Sequence, residues 1–366
     1  MLDSIAVIGA GNGGKTTAAD LALQGKRVRL FEFPEFAAAL EGLGDPPTLR
    51  VTGAMEGVAT LEMATTDLAA AVEADCVIVC TQALAHARVA RELAPIVRPE
   101  QVVVLSPGST AGSLHFAQVF RECGVTEPPV LAEFSTLPYG CRAAGGEVTV
   151  SLKLAKPVWY AALPGKATAD VGPALEAIYP CLVRAESVLA VGLNNANPVI
   201  HPALTLLNAS RIEQQGAAMR FYGDGISPAS AGLIRKLDEE RMALLRALGY
   251  RAQTEPTTSM AQGYCESTDY LECYGRGSAF VSFASPEGID HRYLHEDCDI
   301  GLVMFCSLGR KLGVPTPTCE AVVRFASAVT GVDYLAQDAR TLESLGLGAL
   351  SVEGLKSYLE SGRGVA

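Results

Sequence analysis

The stretch Ile5-Ala-Val-Ile-Gly-Ala-Gly-Asn-Gly-Gly-Lys15 limits what this chain can fold into more than any other. Residues 5–8 are apolar and read as a buried strand. Gly9, Gly11 and Gly14 follow in G-x-G-x-x-G spacing, and residues 16–23 read as a helix. In such a turn the first glycine permits a tight bend. The second leaves no Cβ between backbone and a pyrophosphate, and the third lets helix and strand pack closely. Asn12 and Gly13 lie inside the turn, so their N–H groups, at the helix N-terminus, would face the phosphates.

A glycine turn alone is weak evidence, since the spacing also occurs in βα turns that bind nothing. Its context strengthens it. A second apolar strand, residues 27–33, follows the helix and carries Glu32, about 20 residues beyond the glycines, where a Rossmann unit places an acid for the adenosine ribose hydroxyls. A carboxylate there repels a 2′-phosphate, so NAD is expected over NADP. The alternative is a surface glutamate.

Strand and helix continue to alternate. Residues 75–81 and 101–105 are continuous apolar runs, as parallel strands buried on both faces should be. The first ends at Thr81, where a cofactor would cross the carboxyl ends of the strands. His86 starts the next helix and could touch a cofactor phosphate or merely cap. A tight turn, Ser106-Pro-Gly-Ser-Thr110, follows the second run. Residues 147–154 and 158–163 read as a hairpin closing the sheet. From about residue 188 the pattern is mainly helical, with candidates at 198–212, 229–248, 297–311, 318–330 and 352–359. The expected fold is therefore α/β: a doubly wound dinucleotide-binding sheet over residues 1–187, then an all-α domain over 188–366.

Composition bounds the rest. A chain of 366 residues, 49% hydrophobic, suffices for two cores. No apolar run reaches the roughly 18 residues a membrane span needs. The first strand begins within about four residues of the N-terminus, so no signal peptide is expected. The ten cysteines include no C-x-x-C pair, which suggests reduced thiols in the cytoplasm. A net charge of −11 without a basic block disfavours nucleic acid and anionic membranes as partners. The apolar helices of the second domain would suit a homodimer interface, though no patch marks one.

Two stretches in the second half could carry chemistry. In Asn197-Pro-Val-Ile-His-Pro202, His201 has the right ordinary pKa for proton transfer, although a histidine in an apolar helix is commonly a satisfied core residue. In Asp290-His-Arg-Tyr-Leu-His-Glu-Asp297, Asp297 opens a helical pattern; it is either an N-cap or the carboxylate that orients a histidine. Arg292 has a fork that suits a carboxylate, or it forms a surface salt bridge. His291 and His295 have metal-like i,i+4 spacing, but no further ligand pattern supports a metal.

With these motifs set out, the chain resembles the octopine/nopaline (opine) dehydrogenases. The resemblance rests on Gly9–Gly14, on Glu133…Thr136-Leu-Pro-Tyr139…Arg142, on Asn197-Pro…His201-Pro, on Arg292-Tyr-Leu…Glu296-Asp297…Gly301-Leu, and on Gly313-Val-Pro-Thr-Pro317. It implies a Rossmann domain and a helical domain with the active site in the cleft between them. It also implies reductive condensation of an α-keto acid with the amino group of an amino acid, using NADH or NADPH. By resemblance His201 is the acid/base and Asp297 its partner, and Asn197 and Arg292 fall at substrate-facing positions. Thr136 and Tyr139 belong to the same expected substrate set.

Two other functions fit the layout. One is a hydroxy-acid dehydrogenase, but the comparable enzymes commonly use a lysine early in the helical domain, and this chain has none between Lys166 and Lys236. The other is a non-catalytic NAD-binding regulator, which would need the glycine turn but not His201, Asp297 and Arg292.

Overall fold

Burial of Ile5, Val7 and Ile8 from both sides fixes β1 (Ser4–Ile8) at the centre of a sheet; each such side chain contributes roughly 1.5–3 kcal/mol. The computed structural model describes residues 2–275, 278–336 and 339–363. The chain divides into two compact units. One runs to Gly192 and takes in the segment from Ser357; the other is Leu193–Lys356.

In the first unit β1 leads through α1 (Asn12–Leu23) to β2 (Arg27–Phe31). After β3 (Thr48–Gly53) and β4 (Gly57–Thr60) come β5 (Met63–Thr65), α2 (Leu68–Ala71), β6 (Cys76–Val79), α3 (His86–Leu93), β7 (Val102–Leu105), α4 (Gly112–Glu122) and β8 (Val130–Phe134). Next are β9 (Tyr139–Ala144), β10 (Glu147–Lys153), β11 (Val158–Leu163), α5 (Thr168–Ile178), β12 (Leu182–Arg184) and α6 (Val188–Leu193). Among the described residues the main sheet has the order β12-β11-β8-β7-β6-β1-β2-β5. It is parallel except where β11 meets β8. Strand order reverses between β1 and β6. The crevice outside the carboxyl ends of those two strands is where such sheets bind ligands.

The expected hairpin of residues 147–154 with 158–163 does not form. β10 pairs with β9 and β3 in a separate sheet of order β4-β3-β10-β9, while β11 lies in the main sheet between β8 and β12. The burial patterns explain the split. β10 buries only alternate residues, Val148 and Val150, whereas β11 is buried throughout. A half-exposed strand and a fully buried one suit different places. The true hairpin partner is β9, joined to β10 through Gly145 at φ +53°.

The second unit is mostly helical: α7 (Asn197–Leu207), α8 (Ala209–Gln215), α9 (Phe221–Gly225), α10 (Pro228–Leu248), α11 (Glu255–Gln262), α12 (Tyr270–Tyr274), α13 (Arg292–Glu296), α14 (Val303–Leu312) and α15 (Pro317–Thr330). α10 is its spine, capped at Ser227 and ended by Gly249 in the left-handed region. It packs on α7 and α14 and buries Ile234, Leu237, Leu244 and Leu245. The expected helix 198–212 is two helices, α7 and α8, broken at Asn208.

The division differs from 1–187 and 188–366. The second unit begins at Leu193, and part of α16 (Val352–Ser361) belongs with the first. Tyr358 and Leu359 are buried, the Tyr358 hydroxyl is 3.4 Å from Arg121, and Gly165 passes against Glu360. The apolar spacing of residues 352–359 announces a helix but not which core it joins.

Candidate active site

In the first unit the glycine turn has the shape its spacing predicts. Gly9 has φ +100°, a conformation open to glycine. A Cβ on Gly14 would fall 1.6 Å from the Gly9 carbonyl oxygen, so only glycine lets α1 start this close to the turn. A Cβ on Gly11 would meet nothing within 4 Å, which leaves a backbone surface open to a ligand. On Gly13 it would touch Leu137 at 3.1 Å. α1 has no side-chain cap, so the N–H groups of its first turn remain available to an anion. Asn12 points its Oδ1 at the Ala143 N–H, 2.8 Å away, and ties the helix start to β9.

Glu32 is buried just past the end of β2. Its Oε2 accepts the Ala10 N–H at 2.7 Å and its Oε1 the Phe33 N–H at 2.8 Å. The carboxylate is thereby fixed against the glycine turn, and each oxygen keeps a lone pair for a hydroxyl donor. Where β6 and β7 end, the Thr81 and Ser106 hydroxyls, and that of Ser113 in the first turn of α4, are buried without a hydrogen-bond partner. Buried hydroxyls are normally satisfied. Ser109 and Ala111, in the turn between β7 and α4, both have left-handed backbones, and strain of this kind gathers at ligand sites. An open glycine cradle, an uncapped helix start, a fixed acid and unpartnered hydroxyls at one strand edge fit a dinucleotide.

Two expected residues of this unit are held in its interior. His86 starts α3 as expected but is fully buried, edge-on to Phe116 at 5.5 Å, and does not cap at the surface. Tyr139 donates its hydroxyl to Asp20 at 2.6 Å inside the unit, and Lys153 bonds the same carboxylate. Tyr139, expected among the substrate contacts, has its hydroxyl committed to this buried bond. Thr136 is half-buried in the loop after β8.

In the second unit His201 lies in α7 with 6% of its surface exposed. Its Nδ1 is 2.8 Å from Asp297 Oδ2 and its Nε2 is 3.1 Å from the Tyr222 hydroxyl. Tyr293 stacks on the ring at 3.9 Å between centroids. Burial raises the Tyr222 phenol far above its ordinary pKa, so it stays protonated and donates. Nε2 then accepts, and Nδ1 carries the proton it gives to Asp297. Burial also pushes the Asp297 carboxyl upward, while His201 pulls against that shift.

Asp297 is not a helix N-cap. It closes α13 and opens a π-helical segment, Asp297–Leu302. This segment packs on α7 because Gly301 lacks a Cβ that would stand 2.4 Å from Pro198 Cγ. Close approach there carries Asp297 to His201 across 96 residues of sequence.

Arg292 opens α13. One guanidinium nitrogen, Nη2, donates to Glu296 at 2.8 Å, and its buried Nε has no partner. Burial works against its charge, and Glu296 together with Asp297 and Tyr293 more than restores it. Asn197 is the first residue of α7, half-buried and four residues before His201, hence on the same face. His291 caps α13 through the Tyr293 N–H at 3.3 Å, and His295 sits between Asp290 and Tyr334. Among the described residues no group of three or more His, Cys, Asp or Glu could hold a metal.

Tyr222 and Tyr293 are the members that sequence reasoning missed as partners of His201. Tyr222 is backed by Phe280 at 4.9 Å and Tyr274 at 6.2 Å, and Tyr264 stacks on Phe280 at 4.5 Å. The density of aromatic residues over 264–293 is the signal that could have flagged Tyr293; Tyr222 lies outside that run.

Comparison with known proteins converges on this architecture. Residues 184–330 match the model for the α-helical domain of NAD/NADP octopine/nopaline dehydrogenase, and residues 5–109 match that for ketopantoate reductase PanE/ApbA. An opine dehydrogenase of Arthrobacter sp. strain 1C is 34% identical, covering 97% of this chain and 98% of its own. Vitopine synthase of Allorhizobium ampelinum is 28% identical over 95% of this chain and 96% of its own. Octopine dehydrogenase solved with NADH and L-arginine superposes with a TM-score of 0.78 at 20% identity, covering 99% of both chains. Yersinopine dehydrogenase with NADP+ bound gives 0.69 at 16% identity, over 98% of both. The chain belongs to the octopine/nopaline (opine) dehydrogenase family of NAD(P)-dependent oxidoreductases, which act on the CH–NH group of their donors.

Proposed function

We propose that this protein condenses an α-keto acid with the amino group of an amino acid and reduces the resulting imine, with His201 and Asp297 as its acid/base pair. The buried His201–Asp297 contact at 2.8 Å carries the proposal. The cofactor assigned is NAD, because the fixed Glu32 carboxylate suits ribose hydroxyls and repels a 2′-phosphate. Gly9, Gly11, Asn12, Gly13 and Gly14 would hold the pyrophosphate, with Thr81 at the neighbouring strand end. Bound in reduced form, the dinucleotide supplies a hydride.

The remaining steps belong to the chain's own groups. His201 takes a proton from the amine nitrogen as it adds to the keto carbon, Asp297 stabilises the imidazolium that results, and the imidazolium then gives that proton to the carbinolamine oxygen, which leaves as water. Tyr222 holds Nε2 as an acceptor until the substrate arrives. The unpartnered Nε of Arg292 receives a substrate carboxylate, and Asn197 lies on the same side of α7 as the histidine. Orientation of this kind supplies much of the rate in two-substrate reactions.

The test is NADH oxidation against keto acids, pyruvate and 2-oxoglutarate first, each alone and with each amino acid. Oxidation that needs both partners is the expected result. Oxidation with a carbonyl compound alone would instead indicate a hydroxy-acid dehydrogenase. His201→Ala should cost roughly 10²-fold or more in turnover; an unchanged rate would remove His201 from the mechanism.

A further inference from the structure

Cys265 lies in the segment that joins α11 to α12 and Cys273 lies in α12 itself, with their sulfurs 2.9 Å apart. An S–S bond is ~2.05 Å long. Closing the pair therefore asks for a movement of about 1 Å, with both side chains already turned toward each other. Neither cysteine serves the acid/base site, yet their chain neighbours do: Tyr264 and Tyr274 belong to the ring cluster that backs Tyr222.

The two thiols differ in access. Cys273 is fully buried. Cys265 lines a cavity of about 740 Å³, together with Gly223, Ile226, Ser267 and Leu271. The rim residues Glu266 and Leu271 are exposed, so a small reagent can enter from solvent. Burial above all holds Cys273 as a thiol. Among the described cysteines no other pair is recorded in sulfur–sulfur contact.

We propose that Cys265 and Cys273 form a reversible disulfide when the protein meets a hydroperoxide, with Cys265 reacting first and Cys273 resolving. The Cys265 thiolate attacks one peroxide oxygen. The O–O bond breaks, a sulfenic acid forms, and the departing hydroxide takes up a proton as water. The Cys273 sulfur then attacks the Cys265 sulfur, the S–O bond breaks, and a second water leaves with the Cys273 proton. With hydrogen peroxide, two thiols lose two electrons and one peroxide becomes two waters. Cytosolic disulfides are usually of this transient kind.

The experiment treats the whole protein with increasing hydrogen peroxide, blocks remaining thiols, and maps peptides by mass spectrometry. The exposed Cys123 serves as the internal measure of oxidant dose. Expected is a peptide pair joined through Cys265 and Cys273, with two hydrogens lost from the intact mass and regained with dithiothreitol. In Cys273→Ser the reaction should stop at a Cys265 sulfenic acid, trapped by a dimedone-type diketone; Cys265→Ser should give neither product. The proposal is overturned if both thiols remain alkylatable after unfolding at a dose that has oxidised Cys123, or if either pairs with another cysteine.

Discussion

Replacing Asp297 by Asn keeps the shape beside His201 Nδ1 but offers an amide that can donate. The imidazole would then carry its proton on Nε2, the wrong nitrogen for accepting one. Turnover should fall by roughly 10²-fold or more with KM little changed, as read by steady-state kinetics. Tyr222→Phe removes a single hydrogen bond, about 1 kcal/mol, so turnover should fall roughly five- to tenfold. An unchanged rate would show that Tyr222 does not hold the ring. Glu255 predicts a pH effect on stability. Burial raises its carboxyl to about 8, so the folded chain keeps a proton that the unfolded chain has released. Its stabilising contribution is full below the ordinary carboxylate range and is lost as pH rises through about 8. Glu255→Gln mimics the protonated form. Its Tm should gain on the wild type's between about pH 5 and pH 9, and equal slopes would refute the raised pKa.

At the scale of elements, the turn between β1 and α1 separates binding from folding. Gly14→Ala drives a methyl into the Gly9 carbonyl and should disrupt the unit. Gly11→Ala meets open space with an extended backbone at φ −74°, so it should fold normally. It should nevertheless bind NADH roughly tenfold more weakly by titration, a loss of about 1.4 kcal/mol. α10 is held by a buried pair: Asp238 accepts from Arg241 at 2.6 Å, from Tyr270 at 2.6 Å and from the Glu255 N–H at 2.9 Å. Arg241→Leu strands that carboxylate and should cost about 3–5 kcal/mol in denaturant unfolding. These elements were unequally legible in the sequence. Continuous apolar strands and the glycine turn announce themselves because one local pattern determines each. β9 went unread because Tyr139–Ala144 has no run of strand formers, and β10, its hairpin partner, was assigned instead to a pairing with β11. Residues 297–311 read as one helix, yet the first part is π-helical. A single 3.6-residue period therefore offered Asp297 as a cap beside its reading as the carboxylate that orients a histidine, and only the cap fails. His201 and Asp297 were legible as residue types, but their contact spans 96 positions and follows from packing alone.

For the whole molecule, cofactor choice should appear as stability. NADH at about a hundred times its Kd adds ~2.7 kcal/mol to the folded state. NADPH at the same concentration should add less, since Glu32 disfavours a 2′-phosphate. Calorimetry with each nucleotide reads both, and a larger gain with NADPH would overturn the NAD assignment. The two units also carry a lesson about order of synthesis. Residues from Ser357 on complete the unit whose sheet is otherwise encoded before Leu193. A ribosome adding roughly 5–20 residues per second would finish that sheet on the order of ten seconds before α16 arrives to bury Tyr358 and Leu359 beside Arg121 and Gly165. During that interval the nascent nucleotide-binding half has an uncovered apolar seam. A helper that shields such seams, or early capture of the dinucleotide itself, would matter most while the helical half is still being made.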